Sequence, residues 1–179
     1  NQTLAIGATD DLTDVTLRNF TTLTDAGVNA AVNFTLDADN FTDLTAVTLN
    51  GGTADTMILA DGTYDFSNIV LTFGTAASIL DLNTDGNGAK TVRADAADLN
   101  NVATITGEAT AGITTTLAVN DTDDLSAATV TNVDTITIGT ASNTNQTLTV
   151  SGADFVAGNF TTVTGGGDDN LTIGDAGAV

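Results

Sequence analysis

Internal repetition is the feature that most limits how this chain can fold. The tetrapeptide Asn1–Leu4 returns as Asn145–Leu148. The hexapeptide Asn19–Thr24 returns with one change as Asn159–Thr164. A shorter phrase, Asp or Asn followed by Leu or Phe, recurs at intervals that average roughly 28 residues, a period typical of solenoid proteins. We call these six dipeptides the marker pairs, and they begin at Asp11, Asn40, Asp65, Asp98, Asp124 and Asp154.

Each repeat is predicted to contain a helical turn followed by two short strands. In the first four repeats another apolar residue follows three positions after that of the marker pair, which suits one helical turn capped by the Asp or Asn. The strands alternate threonine with aliphatic residues, most clearly in Thr135–Ile138 and Thr147–Val150. Stacked units of this kind share a continuous core that one unit alone cannot form. We therefore expect an all-β fold, a parallel β-solenoid with short helical turns, and the alternative is a β-sandwich.

The composition excludes several classes of partner and reaction. Three basic residues face 23 acidic ones, for a formal net charge of −20, so nucleic acids and anionic lipids would be repelled. The chain has no His and no Cys, which removes the common nucleophile pairs and His-ligated zinc. One Tyr and no Trp leave little to line a sugar cleft. We therefore expect no enzyme, and a carbohydrate-active solenoid is the weakest alternative.

The chain is interpreted as one continuous repeat segment, residues 1–179, of a longer protein, because it opens inside a repeated phrase. No apolar run reaches the ~18 residues of a membrane-spanning helix, so we expect no membrane insertion. Two of the three basic residues, Lys90 and Arg93, lie on one predicted strand. We interpret them as ion-pair partners of neighbouring Asp residues.

A glycine-rich phrase near the end of the chain predicts a calcium site. Residues 164–172 match the nonapeptide G-G-x-G-x-D-x-U-x except at the first glycine. The predicted ligands are the carbonyl groups of Gly165 and Gly167 and the carboxylate of Asp169. Calcium prefers oxygen ligands, and glycine lets the backbone turn tightly enough to aim its carbonyl groups at an ion. The alternative is an ordinary Gly-Asp loop. This phrase resembles the RTX family of calcium-binding secreted β-roll proteins, in particular bacterial S-layer and adhesin proteins. The resemblance implies secretion by a dedicated machine and calcium-dependent folding or assembly.

Two further Asp-rich phrases are candidate calcium ligands. Asp81, Asn83 and Asp85, followed by Gly86, match the opening of the D-x-[DN]-x-[DN]-G loop. The twelfth position holds Val92 instead of Glu, so the loop is not an EF-hand, and a plain Asx turn is the alternative. A weaker cluster contains Asp121 and Asp123 beside Asp124, where a solvated turn is the alternative. These three phrases make Ca²⁺ the predicted cofactor.

Together these features favour a structural function outside the cell. We expect a repeat segment of an extracellular, cell-surface protein of the surface-layer or matrix type, stabilised or assembled by Ca²⁺. The alternative is the stalk of a modular RTX-type adhesin. The expected partners are copies of the same chain in a lattice or filament, with a cell-surface glycan as a further candidate.

Overall fold

A computed structural model describes residues 2–25, 30–50, 54–74, 78–83, 88–99, 101–139, 145–156 and 159–174. All strand pairs among these residues are parallel, and the stacked sheets form a β-solenoid of about six turns. The predicted solenoid is confirmed. The β-sandwich alternative is wrong, because a sandwich is built from antiparallel sheets.

The described residues form eighteen short strands and three helical turns. The strands of the first half are β1 (Thr3–Ile6), β2 (Asp10–Asp11), β3 (Thr22–Asp25), β4 (Asn33–Leu36), β5 (Ala46–Leu49), β6 (Thr56–Leu59), β7 (Gly62–Asp65), β8 (Val70–Phe73) and β9 (Ser78–Asp81). Those of the second half are β10 (Lys90–Ala94), β11 (Val102–Thr106), β12 (Thr115–Val119), β13 (Asp123–Leu125), β14 (Thr129–Thr131), β15 (Thr135–Ile138), β16 (Thr147–Val150), β17 (Thr162–Gly165) and β18 (Asn170–Ile173). The helical turns are the 3₁₀ turn η1 (Ala38–Phe41), α1 (Ala96–Leu99) and α2 (Gly152–Val156).

The strands stack in three columns, and the chain visits the columns in turn as it winds. The first column holds β1, β3, β5 and β8, then α1, then β13, β16 and β18. The second holds β2, β4, β6, β9, β11 and β14, followed by α2. The third holds η1, then β7, β10, β12, β15 and β17. Each helical turn therefore takes the place of one strand in its column.

The coil is shorter than the average spacing of the marker pairs. Strands β3, β5 and β8 of the first column begin 24 residues apart. The marker pairs are spaced more widely because they move between columns: Asn40 lies in the third, Asp98 in the first and Asp154 in the second. The spacing of about 28 residues is therefore longer than one coil because successive marker pairs move from one column to the next around the solenoid.

The core is a set of aliphatic stacks inside the three columns. In the third column Val92, Leu117, Ile136 and Val163 follow one another in register across four strands. Leu117 and Ile136 are fully buried, whereas the threonines beside them in the strands face outward. The alternation of threonine and aliphatic residues thus sets which side of each strand enters the core.

Only half of the marker pairs lie in helical turns. Asn40, Asp98 and Asp154 each occupy the third position of a helical turn and not the N-cap position itself. The side chains of Asn40 and Asp98 still take part in capping, because they accept from the N–H groups of Asp37 and Asp95, at 2.9 and 3.1 Å.

The other three pairs begin within the last residues of β2, β7 and β13 and lead into tight turns. There the carboxylate accepts from the backbone two residues on, as Asp65 does from the N–H of Ser67 at 3.1 Å. Such a local hydrogen bond competes with helix formation.

Candidate functional site

Two successive coils bring Asp81, Asn83 and Glu108 together. Asp81 ends β9 and is in register with Thr106 of β11, so Glu108 lies one coil beyond Asn83. The carboxamide of Asn83 faces the carboxylate of Glu108, and in the orientation that satisfies both groups its nitrogen donates to the two carboxylate oxygens, at 3.0 and 3.2 Å. Glu108 is buried, and its Oε1 also accepts from the N–H of Thr110 at 2.8 Å. We call Asp81, Asn83 and Glu108 the inter-coil cluster.

The electrostatics of the inter-coil cluster are those of a crowded, partly buried site. Burial raises the pKa of Asp81, although the N–H of Asn83, which donates to its Oδ1 at 2.9 Å, acts in the opposite direction. The positive charge of Lys90 lowers this pKa further, and the negative charge of Glu108 raises it. Asp81 therefore lies within electrostatic range of both side chains.

The inter-coil cluster supplies oxygen donors that suit a hard cation. Two carboxylates and one carboxamide are ligands of the type that Ca²⁺ prefers, and Asn83 can turn its oxygen toward an ion. Asp85, predicted as a third ligand from this loop, lies outside the described residues. Within the described ranges, no group of three or more Asp, Glu, His or Cys residues could hold a metal ion. The donors described here would therefore need further ligands to complete a calcium site.

The glycine-rich phrase is organised around hydrogen bonds to Asp169. Its Oδ1 accepts from the N–H of Gln146 in the preceding coil at 2.9 Å, and its Oδ2 accepts from the N–H of Gly166 at 2.7 Å. Gly167 has a φ of +62°, which favours glycine. A side chain at Gly165 would come within 3.1 Å of the Asp169 side chain. Each carboxylate oxygen of Asp169 thus already accepts a hydrogen bond from a backbone N–H group. Calcium ligation by Gly165, Gly167 and Asp169 stays a prediction.

The third predicted cluster separates into an exposed residue and an inward-facing one. Asp121 is exposed in a bend before β13. Asp123 lies within β13 in register with Leu148, a fully buried core residue, so its side chain faces inward. Its Oδ2 is buried and has no hydrogen-bond partner among the described residues, and burial raises the pKa of its carboxyl group. Their role as metal ligands stays a prediction.

Of the two basic residues of β10, Lys90 forms the expected ion pair, whereas for Arg93 the structure shows only an electrostatic effect on Asp65. Lys90 is 0% exposed, and its Nζ lies 2.7 Å from Oδ1 of Asp61, whose side chain is 34% exposed. Arg93 is in register with Asp65 of β7, and its charge helps to lower the pKa of Asp65, after the larger effect of hydrogen bonds from Ser67.

Sequence reasoning missed Asp61 and Glu108, because both act across coils at long sequence separation. The one available signal for Glu108 was that it is the only Glu in a chain whose other acids are Asp. No sequence pattern distinguished Asp61 from the other loop Asp residues.

Many Asp residues accept hydrogen bonds from the backbone of the neighbouring coil. The distances from the donating N–H nitrogen to the carboxylate oxygen are 2.8 to 3.2 Å. The pairs are Asp55 with Val32, Asp98 with Leu71, Asp134 with Thr115, Asp154 with Val130, and Asp169 with Gln146. The short Asp side chain reaches the adjacent coil, so these five Asp residues help to hold successive coils together.

No family model matches the chain, and no curated protein or solved structure matches it either. Across the described ranges, no helix has the length and apolar character needed to cross a membrane.

Proposed function

We propose that this chain is a structural repeat segment of an extracellular surface-layer or matrix protein. The observation that carries the proposal is the continuous parallel stacking of the coils. Asp side chains reinforce this stacking by accepting hydrogen bonds from backbone N–H groups of the neighbouring coil. In the third column, for example, four successive strands pair in parallel register from β10 through β12 and β15 to β17. A body built in this way resists bending along its axis, which suits a scaffold.

Calcium is proposed to stabilise this scaffold at the inter-coil cluster. A net charge of −20 makes the coils repel one another, and a divalent cation between carboxylates would lower that repulsion. Asp81 and Glu108 come from successive coils, so an ion held by both would tie the coils together. Bound ions on the outer loops would also let copies of the chain assemble side by side in a lattice, as the likeness to S-layer proteins of the RTX type suggests.

The calcium part is tested by urea unfolding of the wild type and of Glu108→Gln in Ca²⁺, in Mg²⁺ and in EGTA. Asp39→Asn is the matched control, because it removes one exposed carboxylate in η1 far along the chain from the cluster. We expect Ca²⁺ to raise the free energy of unfolding of the wild type and the control, and to have little effect on Glu108→Gln. Equal stabilisation of all three proteins would place calcium elsewhere, and no stabilisation of the wild type would contradict calcium binding.

The assembly part is tested by electron microscopy of the purified chain. We expect filaments or sheets that form in Ca²⁺ and disperse in EGTA. A protein that stays monomeric in both solutions and binds a defined glycan would instead favour the adhesin stalk.

A further inference from the structure

The two ends of the solenoid expose apolar side chains of the kind that the inner coils bury. We call the first coil, with β1, β2 and residues 12–17, the head, and we call α2, β17 and β18 the tail. Four large apolar side chains are exposed in the described part of the chain. Val15 lies in the head, Phe155 and Ile173 lie in the tail, and only Val70 lies elsewhere, on the outer side of β8. Exposed apolar surface is thus concentrated at the two ends.

The aliphatic stack of the first column is open at both ends. Leu4 of the head is in register with Leu23, and Leu171 of the tail is in register with Leu148. Leu23 and Leu148 are fully buried, whereas Leu4 and Leu171 are only partly buried because they lie in the outermost strands of the column. The head also carries a groove of about 560 Å³ with a mostly apolar lining that includes Leu4 and Val15.

The outermost strands have free edges without the features that usually protect such edges. In the described part of the chain, β1, β17 and β18 each pair with a single strand. Their sequences, Thr-Leu-Ala-Ile, Thr-Val-Thr-Gly and Asn-Leu-Thr-Ile, contain no charged residue and no proline. Charged residues and proline keep free edges from pairing, and polar capping repeats keep the ends of repeat proteins soluble. These three strands are therefore open to pairing with a further parallel strand.

The exposed strands of the two ends match each other. Strand β18 of the tail and β1 of the head share the pattern Leu-x-Ile followed directly by Gly, which starts at Leu171 and at Leu4. Both strands lie in the first column. When β1 of one copy lies on the free edge of β18 of another, leucine follows leucine and isoleucine follows isoleucine in the core. Leucine already follows leucine in this way where β18 pairs with β16.

Opposite charges at one corner of the solenoid favour the same arrangement. The corner that leads into the first column carries the exposed Arg18 in the head and the exposed Asp168 in the tail. With the columns of two copies aligned, these two side chains lie on the same side of the contact. The net charge of −20 opposes association of two copies, and salt screens that repulsion.

We propose that the head of one copy of this chain docks on the tail of another, with β1 laid parallel on the free edge of β18. A contact between two different surfaces does not close on itself, so it adds copies along the solenoid axis. The proposal rests on the scaffold function, because it names a second copy as the axial partner of that scaffold. The contact between β1 and β18 involves none of the predicted calcium ligands. In EGTA a calcium-dependent lattice should therefore come apart into short head-to-tail chains.

The test is sedimentation velocity of the purified chain in EGTA and salt, over a wide range of protein concentrations. We expect the weight-average mass of the wild type to rise with concentration to about twice the monomer mass and beyond. Ile173→Lys would bury an ammonium group among apolar side chains and should weaken association about a hundredfold or more. Val70→Lys is the matched control, because it puts the same charge on an exposed apolar side chain away from both ends, and it should associate like the wild type.

Two outcomes of this experiment would overturn the proposal. One is a wild type that stays monomeric at every concentration, and the other is association of Ile173→Lys as strong as that of the wild type. Sheets that form in Ca²⁺ from a chain that is monomeric in EGTA would overturn the end contact and leave the scaffold function standing. Head-to-tail chains in EGTA together with no effect of Ca²⁺ on stability or assembly would support the end contact and contradict the calcium part of the scaffold function.

A mixture of two blocked variants tests the orientation. Val15→Lys blocks the head and leaves the tail open, whereas Ile173→Lys blocks the tail and leaves the head open. We expect each variant alone to stay monomeric and the mixture to form a dimer and nothing larger, because one open tail meets one open head. This dimer also shows that both variants are folded, and thermal unfolding of each checks the same point. Dimers of Ile173→Lys alone would show a head-to-head contact and contradict the proposal.

Discussion

Asn40 and Asp98 occupy the same position in two helical turns, and the backbone groups that face them are opposite in kind. The Nδ2 group of Asn40 donates to the carbonyl oxygens of Leu12 and Val15, at 3.1 and 2.8 Å. Oδ1 of Asp98 accepts from the N–H of Leu71 at 2.9 Å. The preceding coil thus offers carbonyls to one helical turn and an N–H group to the other. The choice between Asn and Asp follows from what that coil presents.

Exchanging the two residue types should therefore destabilise the chain at both places. Asn40→Asp puts a carboxylate against two carbonyl oxygens. Asp98→Asn leaves one of two N–H groups without an acceptor, either the buried one of Leu71 or the half-buried one of Asp95. We expect each variant to lose about 1–3 kcal/mol in the free energy of unfolding, measured by urea denaturation. Asp39→Asn, on the exposed side of η1, should stay within ~0.5 kcal/mol of wild type. Wild-type stability in Asp98→Asn would contradict this account of the marker pairs.

The ion pair of buried Lys90 and partly exposed Asp61 should behave asymmetrically on mutation. Asp61→Asn leaves a buried ammonium without its carboxylate and should cost about 2 kcal/mol, less than a fully buried pair because Asp61 is partly solvated. Lys90→Met keeps the length of the side chain and removes the charge, and the double variant should recover most of the loss. A double-mutant cycle on unfolding free energies measures this coupling. Strictly additive losses would show that the two charges do not interact.

Asp169 should stabilise the fold without calcium. Its two oxygens accept from the N–H groups of Gln146 and Gly166, so Asp169→Ala removes two acceptors at once. We expect a loss of about 2 kcal/mol when unfolding is measured in EGTA. A residue that served only as a calcium ligand would show its effect in Ca²⁺ alone.

Two neighbouring carboxyl groups should give opposite pH dependences. Burial raises the pKa of Asp123, so its contribution to stability is fully present below its unfolded pKa of ~3.9 and is lost as the pH rises through its folded pKa. Asp123→Asn should therefore be more stable than wild type at neutral pH, and the advantage should vanish in acid. Hydrogen bonds from the side chain and backbone of Ser126 lower the pKa of Asp124, so its contribution is lost as the pH falls.

Asp124→Asn should accordingly be less stable than wild type at neutral pH, with a deficit that shrinks in acid. The measurement is the free energy of unfolding of the three proteins in EGTA between about pH 2 and pH 8, because the contribution of Asp124 is lost only below its unfolded pKa of ~3.9. Parallel pH curves for Asp123→Asn and wild type would show that the carboxyl group of Asp123 is not perturbed by burial.

The fold class could be read from the sequence because the alternation in segments such as Thr147–Val150 is a local signal. The core position of Leu148 follows from that alternation and from stacking. The difference between helical and tight turns could not be read in this way. Asn40 and Asp65 both begin a marker pair, and only contacts with the neighbouring coil separate their roles.

The candidate site was only partly predictable for the same reason. Asp81 and Asn83 form a recognisable phrase, whereas Glu108 joins them through the register of β9 with β11, which is a property of the assembled solenoid. Asp123 was predicted to lie in a turn, yet it lies in β13 with its side chain facing inward. A run of Asp residues does not show where a strand begins. The composition shows that the chain is rich in Asp, but it does not show that Asp side chains accept hydrogen bonds from the backbone of the neighbouring coil.

The most direct test of the proposed scaffold is immunogold electron microscopy of the cells that make the protein, with antibodies raised against the folded chain. The proposal predicts dense label on the outer surface, in a continuous layer or in filaments, that is released when the cells are washed with EGTA. Label confined to the cell interior would contradict the proposed function.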